Sequence, residues 1–195
     1  MSEIVAEGRG QLTRWVVLPV AVLAGLLVLL LATRDTGADQ VDRSIEGRLA
    51  PAVVGVDLDG EPFDLDDQRG RWVVVNFFST TCQPCIVEHP ELVAFQEAHA
   101  PAGDATVVSI AFDDSATNVE DFFARNGGDW PVLVGDTGGF AVGYGVTGVP
   151  ESYLVAPSGL VWRKLIGGVT QEDLDGHIQQ ATAVDAARRA EASGS

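Results

Sequence analysis

The pattern of apolar and polar positions divides the chain before any motif is read. Residues 15–33, from Trp15 to Thr33, carry no charge and are mostly Val, Leu and Ala. At about 1.5 Å of rise per residue they would make about 28 Å of helix, close to the hydrocarbon thickness of a bilayer. Pro19 sits near one end, where a membrane helix tolerates it. The stretch reads as an uncleaved N-terminal transmembrane anchor behind a tail of residues 1–14. A cleaved signal peptide is the nearest rival, and a buried soluble helix the blander one. Ala32, Thr33, Arg34 and Asp35 make a poor small-x-small cleavage site, and no cysteine lies there for lipidation. Residues 34–49 are polar with single apolar residues at intervals and read as a tether. Residues 50–182 carry the pattern of a folded domain, and residues 183–195 read as an alanine-rich tail.

Within the domain, Val53–Leu58 and Glu61–Leu65 flank Asp59-Gly60, which predicts a hairpin. Arg71–Ser79 is nearly all apolar, as a buried central strand should be. Residues 84–99 change to a helical pattern, with Pro90 predicting a kink rather than a stop. Thr106–Phe112 predicts the next buried strand. Asn118–Asn126 predicts a helix with Val119, Phe122 and Phe123 inward, ended by Gly127-Gly128. A short strand at Pro131–Val134 and a brief helix within Asp136–Tyr144 follow. Ser152–Ala156 and Leu160–Ile166 read as strands joined at Pro157-Ser158-Gly159. Residues 171–192 predict a last helix, with Leu174 and Ile178 on its core side and a fraying far end. Strands alternating with helices, then a hairpin and a helix, describe a three-layer α/β domain.

Charge decides the topology that the hydropathy leaves open. Arg9 and Arg14 precede the apolar span and Arg34, Arg43 and Arg48 follow it, so basic residues give no clean positive-inside asymmetry. Residues 50–182 hold 20 Asp/Glu against five Lys/Arg. Such a surface is poorly suited to nucleic acid or anionic lipid. A short tail inside and an acidic domain on the extracytoplasmic face is the economical arrangement; secretion after cleavage is the alternative. Oxidising compartments also give a cysteine pair chemistry to serve.

The chain has two cysteines, Cys82 and Cys85, spaced C-x-x-C between the apolar strand and the helix that follows. This placement reads as a redox dithiol. An inert disulfide and a metal site are the rivals, although His89, His99 and His177 show no zinc spacing. A thiol at a helix N-terminus is pushed toward thiolate by the helix dipole and unpaired amides. Cys82 is therefore expected to be the nucleophile, and Cys85, one turn in, to resolve the mixed disulfide. Gln83 and Pro84 would tune the pair, and Pro84 removes an N–H where its loss costs little. Pro150, after Gly148-Val149, marks either a strand entry or a cis Val149–Pro150 bond that leaves a backbone edge at Val149 for a substrate peptide. Glu151 is either a solvated loop carboxylate or an acid serving Cys85. Asn76 is a satisfied polar group or a polar position beneath the dithiol. Glu88, three past Cys85, reads as a solvated helix residue ahead of a site carboxylate, and His89 as a surface residue. No metal, nucleotide or haem motif is present, so the cysteine pair is the expected redox centre without a further cofactor.

The segment Val73-Val74-Val75-Asn76-Phe77-Phe78-Ser79-Thr80-Thr81-Cys82-Gln83-Pro84-Cys85, with Glu88 and Pro90, resembles the membrane-anchored thiol-disulfide oxidoreductases of the DsbE/CcmG, ResA and TlpA group. Gly145-Val146-Thr147-Gly148-Val149-Pro150-Glu151-Ser152-Tyr153-Leu154-Val155 resembles their second motif. Leu58-Asp59-Gly60 and Leu65–Gly70 also fit, so the resemblance spans roughly residues 50–182. It implies a thioredoxin-like three-layer domain with a central mixed sheet and a thiol-disulfide reductase outside the cytoplasmic membrane. The substrate implied is apocytochrome c, whose C-x-x-C-H cysteines are reduced before haem attachment. The partner implied is a membrane thiol carrier of the DsbD/CcdA type. By the same resemblance Cys82 attacks, Cys85 resolves, Pro150 is the cis-proline and Glu151 is the active-site acid. Four positions depart from the pattern: Thr81 and Phe78 stand where tryptophan is usual, Ala156 replaces an aspartate, and Asn76 stands where thioredoxin has a buried aspartate. Three further readings stay open: a general extracytoplasmic reductase or oxidant, a peroxiredoxin-like peroxidase, and a redox-inert binding scaffold.

Overall fold

The computed structural model describes Val20 and residues 45–193. The expected tail, the expected anchor (apart from Val20) and most of the expected tether lie outside these residues. Among the described residues no helix is long and apolar enough to cross a membrane.

Five strands form the central sheet in the order β5-β4-β3-β6-β7. They are β3 (Trp72–Phe78), β4 (Ala105–Ala111), β5 (Val132–Leu133), β6 (Glu151–Val155) and β7 (Val161–Ile166). β3 runs parallel to β4, and β4 to β5, while β6 is antiparallel to both β3 and β7. The mixed sheet follows from the connections: helices carry the chain back for the parallel pairs, and a tight turn suffices for β6–β7. A separate antiparallel hairpin, β1 (Val54–Val56) with β2 (Pro62–Asp64), forms around Asp59-Gly60 as expected. Four helices complete the domain: α1 (Gln83–His99), α2 (Ala116–Asn126), α3 (Gly138–Tyr144) and α4 (Gln171–Ser193). Pro90 does not stop α1, which runs on to His99.

The period of two along the strands builds a core on each side of the sheet. Val73, Val75 and Phe77 pack with Phe63, Tyr144, Tyr153 and Val155. Val74 and Phe78 pack on the other face with Cys85, Leu92, Phe95, Phe122, Leu154 and Leu174. Fully burying a side chain such as Phe77 or Leu154 stabilises by roughly 1.5–3 kcal/mol relative to exposure. Helices α1, α2 and α4 thus share the face that holds Cys85, and the hairpin and α3 cover the opposite one.

One boundary differs from expectation. The tether was expected to reach residue 49, yet residues 45–49 belong to the domain. Ile45 is buried, the Gly47 N–H donates to Val161 O at 2.7 Å, and Leu49 bridges to Leu160. The physical reason lies at β7: a sheet edge carries unpaired amides and carbonyls, and this segment covers them. At the other end, α4 runs to Ser193, matching the expected helix over 171–192 to within a residue and carrying it through the expected alanine-rich tail. Beyond Ala181 nearly every residue is exposed, so the helical propensity of alanine sustains these turns rather than burial.

Candidate active site

Strand β3 ends at Phe78, and the chain turns over Ser79–Cys82, with the Cys82 N–H donating to Ser79 O at 3.1 Å. Cys82 is the N-cap of α1; its Sγ accepts the Cys85 N–H at 3.3 Å, and Pro84 occupies the first turn. The two sulfurs are joined as a disulfide. Cys82 is half-buried and Cys85 is buried, so Cys82 is the more accessible sulfur. Gln83 and Pro84 are exposed beside them.

The turn is held from outside by Asp114, at the end of the β4 connection. Its Oδ2 accepts the Thr80 N–H at 2.7 Å, the Thr80 hydroxyl at 2.6 Å and the Ser79 hydroxyl at 3.1 Å. Its Oδ1 accepts from Ser115 N and Asn118 Nδ2. Burial raises this carboxyl, but the donors, those of Thr80 foremost, outweigh it and bring the pKa down to about 2. Thr81 is exposed, with its hydroxyl 3.2 Å from that of Ser79. Sequence reasoning missed Asp114. The signal available was Asp114-Ser115 ahead of Asn118, a helix-start pattern; Ser115 does cap α2.

The carboxylate on the dithiol's face is Glu88, and the expectation of a solvated residue is wrong. Glu88 is 3% exposed. Its Oε1 accepts Asn76 Nδ2 at 2.6 Å, and its Oε2 accepts the Val169 N–H at 3.2 Å. Asn76 also donates to the Ser152 hydroxyl at 3.0 Å, across the β3–β6 register. Burial pushes the Glu88 carboxyl up to about 7, against the lowering effect of its Val169 and Asn76 bonds. A group one turn after Cys85 that holds or releases a proton near neutrality is fitted to thiol chemistry. His89 is also buried rather than at the surface. It packs on Phe122, Phe123 and Trp130, with Nε2 2.8 Å from Gly127 O.

Glu151 stands elsewhere. In β6 the side chains alternate: Ser152 and Leu154 face the dithiol helix, while Glu151, Tyr153 and Val155 face the hairpin side. The Glu151 carboxylate is 1% exposed and accepts from Thr147, Tyr153 and Lys164. Strand parity therefore sets Glu151, expected as the acid, on the face away from the dithiol helix, and Glu88 is the carboxylate on the dithiol's face. The Val149–Pro150 bond is cis. Val149 O lies 3.5 Å from Cys82 Sγ, and Pro150 O accepts the Gly167 N–H at 3.0 Å. A cleft of about 470 Å³ opens beside the dithiol, lined by Pro84, Val87, Glu88, Glu91, Gly168 and Val169.

The redoxin family model matches residues 45–172. The chain belongs to the redoxin family. It is 32% identical over 137 residues to the thiol-disulfide oxidoreductase ResA of Bacillus anthracis, covering 70% of this chain and 78% of that protein. It is 29% identical over 159 residues to the thiol:disulfide interchange protein HelX of Rhodobacter capsulatus, covering 80% and 88%. A solved thiol:disulfide interchange protein of the thioredoxin family from Chlorobium tepidum superposes with a TM-score of 0.62 at 33% identity, covering 68% of this chain and 94% of that one. This redoxin is a thiol-disulfide oxidoreductase with a thioredoxin-like fold, in agreement with the disulfide at the start of α1.

Proposed function

We propose that the protein reduces disulfides of cysteine-containing polypeptides outside the cytoplasmic membrane, with apocytochrome c as substrate. Residues 15–33 would anchor it, and a membrane thiol carrier of the DsbD/CcdA type would return it to the dithiol state. One observation carries the reading toward polypeptides: the half-buried Cys82 sulfur lies 3.5 Å from a backbone carbonyl, Val149 O, and a cleft of about 470 Å³ lined by Gln83, Pro84 and the exposed Val87 adjoins the C-x-x-C segment. The cytochrome assignment is supported by the motif resemblance.

In the reducing direction the Cys82 thiolate attacks one sulfur of the substrate disulfide. A mixed disulfide forms, and the first substrate thiolate leaves and takes a proton from water. The Cys85 thiol then gives its proton toward the Glu88 carboxylate and attacks Cys82 Sγ. The second substrate thiolate leaves, and the Cys82–Cys85 disulfide remains. Two electrons pass to the substrate, and the carrier must supply two to restart the cycle.

The test is the reduction potential of the Cys82–Cys85 pair in the full chain, titrated against dithiothreitol buffers, together with reduction of a disulfide-bridged C-x-x-C-H peptide. A potential near or below about −270 mV with rapid peptide reduction is expected. A value near about −120 mV would make the protein a disulfide donor instead.

A further inference from the structure

Glu151 is buried and lies on the sheet face opposite the dithiol helix, so a charged carboxylate inside the protein at this position needs another account. Every lone-pair direction of its carboxylate is engaged. Oε1 accepts the Thr147 N–H at 3.0 Å and the Thr147 hydroxyl at 2.6 Å. Oε2 accepts the Tyr153 hydroxyl at 2.8 Å and lies 2.9 Å from Lys164 Nζ. Lys164 Nζ in turn donates to Gly145 O at 2.9 Å and sits 5.3 Å from the centre of the Tyr153 ring. Three of these contacts grip the segment between α3 and β6, two at Thr147 and one, through Lys164, at Gly145. That segment leads directly into Val149 and Pro150.

We propose that Glu151 is a positioning residue: its carboxylate, with Thr147 and Lys164, fixes the 145–150 loop so that the Val149 backbone is presented beside Cys82 to an incoming polypeptide. The inference rests on the reading above that a polypeptide pairs along Val149. Geometry argues for positioning over stability. A buried ion pair contributes little net stability because both partners lose hydration, but it holds its neighbours in one arrangement. Past Thr147, no backbone hydrogen bond within the domain restrains Gly148 or Val149 among the described residues. Thr147, held by Glu151, is thus the last fixed point on the α3 side of the peptide edge, as the Pro150 carbonyl bonded to Gly167 N–H is on the β6 side. Burial would raise its carboxyl, but the donors of Thr147, Lys164 and Tyr153 outweigh burial and the net shift is downward. The group stays ionised and does not carry a proton for Cys85.

A loop-positioning role separates substrates by size. A polypeptide needs the Val149 edge, whereas a small disulfide needs only the sulfurs. The experiment follows reduction of a disulfide-bridged C-x-x-C-H peptide and of hydroxyethyl disulfide by the pre-reduced full chain, for wild type, Glu151→Gln and Thr147→Val. Glu151→Gln and Thr147→Val are each expected to lower kcat/KM for the peptide about tenfold, mainly through KM. Hydroxyethyl disulfide should change less than about twofold, and the midpoint of the pH–rate profile should stay in place. The double variant should be no slower than the slower single one, because both remove one contact. Thr147→Val tests the same loop without removing a buried charge, so misfolding of Glu151→Gln leaves the test intact. A displaced pH midpoint in Glu151→Gln with both substrates slowed equally would overturn the proposal in favour of an acid role. An unaltered peptide rate in Thr147→Val would also overturn it. If the wild-type protein reduces hydroxyethyl disulfide but not the C-x-x-C-H peptide, the substrate reading fails, and insulin serves as the polypeptide disulfide for the same comparison.

Discussion

Two carboxylates at the active site have opposite environments, and each sets a measurable pH dependence. Glu88 is raised by burial from 4.5 to about 7. Between those values the folded protein holds a proton that the unfolded chain has lost. Its contribution is therefore fully present below about 4.5 and disappears as pH rises to about 7, on the order of 3 kcal/mol. Urea unfolding from pH 4.5 to 7.5 should show this decline in the wild type and a flatter curve in Glu88→Gln; parallel curves would remove Glu88 as the buried acid. The variant should also slow the resolving step and flatten the rise of the exchange rate around pH 7. Asp114 behaves in the opposite sense. Its pKa is held at about 2, below the ordinary 3.8, so its contribution is present above about 3.8 and lost as pH falls through about 2. Asp114→Ala removes the acceptor for Ser79, Thr80, Ser115 and Asn118 and should cost about 2 kcal/mol at neutral pH, with a smaller loss of stability in acid than the wild type. An unchanged urea midpoint at pH 7 would show that the turn before Cys82 is held without it.

At the scale of elements, the seam between α1 and α4 frames the cleft, and it is made of carboxylates meeting donors. Glu88 accepts from Val169, Glu91 accepts from Gln171 N at 3.1 Å, and His99 closes the far end. His99 Nδ1 lies 2.9 Å from Asp104 and Nε2 2.9 Å from Asp175. A neutral imidazole has one N–H, so both contacts are hydrogen bonds only in the charged form. Burial lowers the His99 pKa, but the bonds and charges of Asp175 and Asp104 outweigh it, and the net shift is upward. The contribution is present in full below about 6.5 and is lost as pH rises through the folded value. His99→Gln should cost about 1 kcal/mol at pH 6, since the exposed Asp104 is screened, and less at pH 9. A gap between the two proteins that is constant from pH 6 to 9 would contradict this. The seam also shows what the sequence could disclose. The apolar run of β3, the Asp59-Gly60 hairpin and the Cys82–Cys85 pair were legible because period and spacing encode them directly. Glu88 and His89 were not, because α1 is buried along two sides, against the sheet and against α2, and a polar side chain on an inner face looks the same in one sequence as one facing water. For Glu151 the strand parity was readable, since Ser152 and Glu151 must face opposite ways, but which face held α1 was not. Residues 45–49 looked like a tether because their pairing is with Leu160 and Val161, more than a hundred positions away.

The whole molecule carries a formal net charge of −16, and its domain is where most of the acid lies. Among the described carboxylates only Glu88 and Glu151 are buried; the others are exposed or half-buried and set the field that an approaching substrate meets. A field of one sign steers oppositely charged partners and repels like ones, and it acts mainly on the rate of encounter. The Debye length is about 30 Å at 0.01 M salt, longer than the reach of any single side chain, and about 3 Å at 1 M. Two disulfide-bridged peptides identical except for flanking residues, one set lysine and the other glutamate, separate this effect from the chemistry at Cys82. With the pre-reduced full chain at low salt, the lysine-flanked peptide should be reduced about tenfold faster, and the difference should shrink to about twofold or less at 0.5 M salt. The change should appear in kcat/KM under limiting substrate, because steering speeds encounter and leaves the thiol exchange itself unaltered. Equal rates for the two peptides at low salt would mean that the acidic surface faces away from the cleft beside Pro84 and Val87, and that the field plays no part in choosing a substrate.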